Sequence, residues 1–526
     1  MAFEVKGRLS LDELENGLKQ VQHESLASHA MGALTSGIFL VAFGLLLGAS
    51  NLVIGLMAAI PSITQLVQIF GVALVERVRN RKRITVVASL LARLCLVILI
   101  LAPFASTREG SITMLLCGLA LHTAFTALAQ CAWGSWMKDL VPDKVMSLFY
   151  SERMFYTKSL SIFLSLVSGY YLFLVSDLSQ VEQLHSYSML FIVGMALGIV
   201  GVYYMYQVPE PMMAVTYERK GIGAILMEPL SDGNFRKLLL FLGSWNFAVN
   251  LAAPFFTVYM IRRLEMNMAL VVVFSVLSQI CHLMVMKSWG RFTHKYGAKS
   301  AIKIAGPVYL MCVLAWTFTT LPSIHYLSLA LLTVIHVFLG AANAGVTLGV
   351  SGLGLRLSPA GKATPYLAMI SLTNAVTAGV APILGGMFTD YAARMELTLI
   401  LKWTSPGAAF SFNTLDLQHW DFFFLFAFFL GFFALMLLNG VEEKGEIKEN
   451  ATWVDFTTEV VRELRNFSTL GGLRQMVQFP FGLLKHSSPP ARGDGQEEGR
   501  EPGSHNTTWR IKLREHLDAP RDDPKR

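Results

Sequence analysis

The chain contains twelve apolar runs of about twenty residues, and these long hydrophobic segments constrain its fold more than any other feature. Each run can cross the roughly 30 Å hydrocarbon core of a bilayer as a helix. Only 15% of the 526 residues are charged and 53% are hydrophobic, whereas about a quarter of a soluble chain is charged. The sequence therefore predicts an all-α, multi-pass membrane protein with twelve transmembrane helices. The runs lie near residues 29–48, 51–74, 84–104, 111–133, 153–175, 187–207, 237–260, 267–288, 300–321, 325–347, 365–388 and 419–440.

Polar segments divide the chain into five regions. The first region begins with a capping box, since Ser10 and Glu13 can each satisfy a free amide of a first helical turn. The predicted regions are a cytoplasmic amino-terminal helix (1–28), a first six-helix half (29–207), a cytoplasmic linker (208–236), a second six-helix half (237–440) and a partly disordered cytoplasmic tail (441–526).

A long loop between the last two spans, residues 389–418, has its own pattern. Apolar and polar residues alternate in "ELTLILKW" and "AFSFNTLDL", which predicts a small β-hairpin. The tail contains "SSPPARGDGQEEGREPGSHNTT", a composition that cannot build a hydrophobic core and indicates disorder.

The basic residues predict the orientation in the membrane. Twenty Lys and Arg residues near span ends lie on one side and five on the other, and the basic side of a membrane protein is normally cytoplasmic. Arg153 and Lys158 are counted here as loop residues at the start of the fifth span. We therefore expect a cell (inner or plasma) membrane protein with both termini in the cytoplasm. The net charge of +7 follows from these loops and does not indicate nucleic-acid binding.

The two sets of six spans repeat each other. Gly71 and Gly290 are 219 residues apart, and Glu76 and His294 are 218 apart. Polar residues inside the spans repeat at an offset of 214: Gln65 and Gln68 correspond to Gln279 and His282, and His122 corresponds to His336.

With its twelve spans, two similar halves and basic loops after the second and eighth spans, the chain resembles the Major Facilitator Superfamily. The family's most widespread motif is a glycine, three residues, Asp-Arg, one residue, then Gly-Arg-Lys. The second-half loop matches its spacing with Gly290, His294-Lys295, Gly297 and Lys299, although His294 replaces the acid. The first-half loop keeps Glu76-Arg77, but Arg79 occupies the position of the second glycine. The resemblance covers residues 28 to 440.

The resemblance implies that these loops are cytoplasmic gate elements that re-form as the two halves alternate. The alternative is that they are only basic loops that set the orientation. The gate residues predicted in this way are Glu76, Arg77, Gly290, His294, Lys295, Gly297 and Lys299.

The resemblance also implies a solute site near the middle of the bilayer, lined mainly by the first, fourth, seventh and tenth spans. Buried polar side chains in a membrane point away from lipid, but many of them only bond neighbouring helices. The predicted substrate-binding residues are His122, Gln130, Trp245, Asn246, Asn250, Gln279, His336 and Asn343.

Arg93 is the only permanent charge that the sequence places deep in a span. We interpret it as a structural pair or a residue that reaches the interface, rather than as a ligand. With so few deep cations, the predicted solute is neutral or amphipathic. H⁺ is the candidate coupling ion, carried by His122, His282 or His336; the alternative for each is a neutral, hydrogen-bonded histidine.

No catalytic, metal-binding or cofactor-binding motif is present. "SPAGKAT" lacks the first glycine and the residue after Lys362 that a phosphate-binding loop requires. The sequence thus predicts a secondary transporter, not an enzyme, that moves a small-molecule organic solute across a lipid bilayer by alternating access. The alternative is a non-transporting member of the family that acts as a membrane assembly or sensing factor.

Overall fold

The computed structural model describes residues 5–6, 9–212, 229–319, 325–359, 363–393, 395–405, 408–418, 420–443 and 453–467. Most of the predicted linker and most of the tail, including the segment predicted to be disordered, lie outside these residues, as do Lys362 and Arg394.

Twelve helices within the described residues are long and apolar enough to cross a membrane, which confirms the predicted number. They are α1 (Leu11–Leu46), α2 (Asn51–Val78), α3 (Arg81–Phe104), α4 (Arg108–Leu140), α5 (Asp143–Leu174), α6 (Gln180–Gln207), α7 (Gly233–Arg262), α8 (Met268–Tyr296), α9 (Ala298–Phe318), α10 (His325–Leu357), α11 (Ala363–Ala392) and α12 (Trp420–Asn439). A shorter helix, α13 (Trp453–Phe467), follows. The strands are β1 (Val5–Lys6), β2 (Glu210–Pro211), β3 (Glu396–Ser405) and β4 (Ala408–Gln418).

The first helix is longer than the sequence predicts. The capping box is present, because the Glu13 amide donates to Ser10 Oγ at 3.2 Å and the Ser10 amide donates to Glu13 Oε2 at 3.0 Å. The helix then continues without interruption to Thr35 and breaks at Ser36, next to Gly37 with φ of +60°. The segment predicted as a separate surface helix is therefore the first part of α1. Its polar residues lower the hydropathy, but several of them face the bundle.

The boundaries of the helices repeat between the halves. The first residues of α3 and α9 are 217 residues apart, as are the last residues of α4 and α10. The offset grows to 240 residues for the first residues of α6 and α12, because a hairpin precedes α12. Strands β3 and β4 pair antiparallel, with an irregularity between Leu399 and Ile400, which confirms the predicted hairpin.

The two halves contact each other mainly through α2 with α11 and α5 with α8. We call the end of the bundle where α2 begins and α7 and α11 end the sealed end. There Asp390 accepts hydrogen bonds from the Asn51 side chain at 2.8 Å and from the Leu52 amide at 3.1 Å. Arg262 donates to Asn51 Oδ1 at 3.1 Å and to the Ala49 carbonyl at 2.6 Å. We call the opposite end, which carries the α2–α3 and α8–α9 loops, the basic end.

Helix α13 packs on the basic-end part of α8. The rings of Phe456 and Trp289 stack with their centroids 3.8 Å apart. Arg291 forms an ion pair with Glu459 at 3.1 Å, and the Tyr296 hydroxyl donates to Asp455 at 3.1 Å. An isolated helix of 15 residues is marginally stable in water, so α13 depends on these contacts.

We expect Phe456→Ala to release α13 from α8 and to melt it, because Phe456 is the one buried side chain among those described on α13 and it stacks on Trp289. Limited trypsin digestion should then cleave after Arg462 at least several-fold faster than in the unsubstituted protein. Val454→Ala is the matched control, since Val454 is 71% exposed on the same helix. Equal cleavage rates for both variants would contradict this role of Phe456.

Candidate functional site

A cavity of about 580 Å³ lies between the first half and α8. This volume falls within the range of small-molecule sites, roughly 300–1,000 Å³. Residues of α1, α3, α4, α5, α6 and α8 form its walls. The charged and amide side chains among them are Glu24, Arg93, Gln130, Arg153, Lys158 and Gln279.

Arg93 and Glu24 belong to one polar network on the first-half wall. Arg93 is 5% exposed, and it donates to the Ser89 carbonyl at 3.2 Å and to Ser28 Oγ at 3.1 Å. Ser28 Oγ in turn donates to Glu24 Oε1 at 2.7 Å. The guanidinium of Arg153 lies 3.9 Å from Glu24 Oε2. The network is therefore held by α1, α3 and α5 together.

Arg153 and Lys158 do not lie in a loop, which corrects their placement from the sequence. Helix α5 begins at Asp143, and at about 1.5 Å per residue Lys158 lies near the middle of its length. The hydropathy of this helix is low near its first turns, so the predicted span began too late. Arg93 is thus not the only deep cation, and the expectation of a neutral solute that depended on its isolation loses its basis.

Two of the eight predicted substrate-binding residues, Gln130 and Gln279, line this cavity. Among the described residues, none of those lining it belongs to α7 or α10, so the wall differs from the one that the resemblance implied. Helices α3 and α5 take part instead, and α8 supplies the wall from the second half.

The other predicted substrate-binding residues have contacts elsewhere. Trp245 is buried against Tyr309, with ring centroids 5.8 Å apart. Asn246 donates to Asn374 at 2.6 Å, and Asn250 donates to the Asn246 carbonyl at 2.8 Å. These contacts join α7 to α9 or α11, or lie within α7.

The two histidines of the repeat differ in their contacts. His122 Nδ1 lies 2.7 Å from the Ala92 carbonyl and joins α4 to α3. His336 Nδ1 lies 2.8 Å from the Leu332 carbonyl of its own helix, and its ring stacks on Phe274. Asn343 is exposed. Substrate contact stays a prediction for all eight residues.

At the basic end of the first half, Glu210 holds the start of α3. Its carboxylate accepts hydrogen bonds from the Arg81 amide at 2.7 Å and the Lys82 amide at 3.2 Å. The Arg81 side chain is fully buried and also contacts Asp139, and its Nη2 donates to the Pro211 carbonyl at 2.8 Å. Pairing of β1 with β2 fixes the segment that carries Glu210.

Glu443 makes the corresponding contacts in the second half. It accepts from the Ala298 amide at 3.0 Å and the Lys299 amide at 2.8 Å, and Arg356 donates to it at 2.7 Å. A carboxylate at a helix amino terminus is favoured both by the free amides and by the helix dipole. Each half therefore ends with an acid that caps its own third helix.

The predicted gate residues fall into two groups. Gly297 and Lys299 lie at the junction with Glu443: Gly297 has φ of +95°, and a Cβ atom there would lie 3.0 Å from Glu443 Oε2. Arg79, which replaces this glycine in the first half, also has positive φ, at +52°. The others are exposed on the final turns of α2 and α8: Glu76, Arg77, Gly290, His294 and Lys295.

The glycines at the motif starts behave differently from each other. A Cβ atom on Gly71 would lie 3.2 Å from Cys131 Cβ, so α2 and α4 approach closely there. A Cβ atom on Gly290 would meet open space, so close helix packing does not explain this residue. The gate role of the set stays a prediction.

Sequence reasoning missed Glu210 and Glu443 and treated Arg81 and Arg356 only as residues that set orientation. One sequence feature does point to these two acids: an acidic residue follows the last span of each half, in "VPEPMM" and "NGVEEK". Its partners are distant in sequence, and the acid alone does not reveal them.

The sequence model of the Major Facilitator Superfamily matches residues 26–382. The chain belongs to this superfamily. It is a multi-pass membrane protein of a transporter family and not an enzyme. No curated protein matches the chain.

Solved structures of this superfamily share the fold. A mutant form of the nucleoside transporter NupG is 13% identical with a TM-score of 0.61, and the match covers 81% of this chain and all of NupG. The xylose transporter XylE from E. coli is 13% identical with a TM-score of 0.59, covering 82% of this chain and 99% of XylE. A bacterial homologue of the human drug peptide transporters is 13% identical with a TM-score of 0.56, covering 86% of this chain and 100% of that one.

We expect Glu210→Ala to lower the free energy of unfolding by about 3 kcal/mol, because it leaves two amides without their acceptor and removes one of the two carboxylates that contact the fully buried Arg81 guanidinium. Glu443→Ala should lower the free energy of unfolding by less, since the Arg356 side chain is 38% exposed and water can solvate it. Thermal unfolding of the detergent-solubilised protein measures both. Glu109→Ala, an exposed acid at the start of α4, is the control. Equal losses at positions 210 and 443 would contradict this argument.

Proposed function

We propose that the protein moves a small organic solute by alternating access, with the cavity described above as its solute site. The observation that carries this proposal is the asymmetry of the contacts between the halves. Hydrogen bonds among Asn51, Asp390 and Arg262 join the halves at the sealed end. Five of the seven predicted gate residues are exposed at the basic end, as expected of an open gate: Glu76, Arg77, Gly290, His294 and Lys295.

The cavity position also supports transport. It is lined by both halves, because Ser275 and Gln279 of α8 face the first-half helices. A solute bound there would contact both halves, so a rocking motion that opens the sealed end would expose it to the other side of the membrane.

We place the basic end in the cytoplasm, together with both termini, in the cell membrane. The support for this orientation is the excess of Lys and Arg that the sequence assigns to the loops of that side, eighteen against five when Arg153 and Lys158 of α5 are left out. The cavity would then open toward the cytoplasm in this conformation.

Coupling to H⁺ stays a prediction. His122 and His336 both contact backbone carbonyls at 2.7 and 2.8 Å, contacts that a neutral imidazole satisfies by donating from Nδ1. A protonated imidazole donates from Nδ1 in the same way, so both alternatives, proton carrier and structural histidine, are compatible with these contacts.

A disulfide across the sealed end tests alternating access directly. A Cβ atom on Gly169 of α5 would lie 2.9 Å from Val272 Cβ of α8, so a small separation of the helices brings two cysteines to bonding geometry. We expect oxidised Gly169→Cys/Val272→Cys to lose at least 90% of solute flux into proteoliposomes, to about the level of empty vesicles, and to regain it after reduction. The five native cysteines are first replaced.

The matched control links two helices of the same half. A Cβ atom on Gly201 of α6 would lie 3.4 Å from Ala27 Cβ of α1, and this pair should keep its flux when oxidised. Full flux through the oxidised 169–272 pair would overturn alternating access. Absence of flux for every solute that binds would instead favour the non-transporting member of the family.

A further inference from the structure

The solute cavity carries more positive than negative charge. Arg93, Arg153 and Lys158 line it together with a single carboxylate, that of Glu24. Glu24 is already engaged, since it accepts from Ser28 and lies 3.9 Å from Arg153. Two positive charges therefore remain without a compensating carboxylate in the cavity wall.

Lys158 is the most available of the three cations. It lies near the middle of α5, its side chain is exposed to the cavity, and it has no hydrogen-bond or ion-pair partner among the residues that the structure describes. An ionisable side chain within a membrane-spanning helix usually faces a water-filled cavity and marks a solute or ion pathway. Packing against a protein acid does not explain this lysine.

Arg93 provides a second, partly satisfied cation. It is 5% exposed, yet its Nε has no hydrogen-bond partner within the described part of the chain. Its two terminal nitrogens bond a carbonyl and a hydroxyl rather than a carboxylate. A buried guanidinium normally pairs with an anion. The Arg93 guanidinium can therefore still donate a hydrogen bond to an anionic group bound in the cavity.

We propose that this cavity binds an organic anion, with Lys158 as its main charge partner and Arg93 and Arg153 as the supporting cations. The apolar side chains of Phe39 and Trp133 in the same wall would contact the uncharged part of the solute. This inference rests on the proposed function, because it assigns a chemical class to the same site. It replaces the neutral solute expected from the sequence.

The test measures thermal shifts of the full-length protein in detergent with two series of ligands that share a skeleton and differ in charge. The first is phenylacetate, phenylacetamide and phenethylamine; the second is glucose 6-phosphate, glucose and glucosamine. We expect at least one anion to raise the unfolding midpoint at about 10 mM, while its neutral and cationic counterparts do not. No shift from either anion, or a larger shift from a neutral or cationic member, overturns the proposal.

Substitutions assign the binding to Lys158. Lys158→Gln should weaken the binding of the anion at least ten-fold, and Lys158→Arg should keep its dissociation constant within about three-fold, because only the charge is required. Lys237→Gln removes an exposed lysine of α7 and is the matched control. Without ligand, Lys158→Gln should leave the unfolding temperature almost unchanged, since water solvates this exposed charge in the open conformation; a lysine that stabilised the fold through a protein acid would lower it when replaced.

The two proposals fail in different ways. Anion binding that depends on Lys158 but gives no flux in proteoliposomes supports the anion site and contradicts transport. Flux of a neutral solute, unaffected by Lys158→Gln, supports transport and overturns the anion site.

Discussion

Close packing of α2 on α11 holds the two halves of the molecule together, and it depends on glycine. A Cβ atom on Gly55 would collide with the Pro382 carbonyl, and one on Gly386 would collide with the Asn51 carbonyl. Only glycine lets these two backbones approach so closely. Around this contact, Asp390 and Arg262 add hydrogen bonds to the first residues of α2. The sealed end is therefore held by close backbone packing at two glycines and by the hydrogen bonds of two charged side chains.

The basic end has a different kind of construction. There the strong polar contacts join helices of the same half: Glu210 caps α3, and Glu443 caps α9. Within the described part of the chain, these contacts hold each half together at this end and do not join it to the other half. This division suits a molecule whose halves move as bodies, because internal pairs persist while contacts between the halves form and break. Helix α13 adds a further contact to α8 alone.

Hydropathy and motif spacing in the sequence were enough to predict much of the fold. They predicted little of the candidate site. The lengths of the apolar runs predicted the number of spans, and the loop offsets predicted the repeat. Lys158 was misplaced because hydropathy averages over a helix and cannot show which side faces water. His122, Asn246 and Gln130 are all polar residues within predicted spans. Gln130 lines the cavity, whereas His122 and Asn246 form hydrogen bonds to neighbouring helices. Only the three-dimensional arrangement separates these two roles.

The charge of the cavity connects solute binding to the movement of the halves. While the basic end is open, water solvates Lys158, so its charge costs little. Closure at that end would remove the water and leave three cations with the carboxylate of Glu24, which is unfavourable in a medium of low dielectric constant. A bound anion would neutralise part of this charge and so favour the closed state over the open one. A ligand shifts a conformational equilibrium only through such a difference in affinity, and Lys158 is the residue whose environment would change most between the two states.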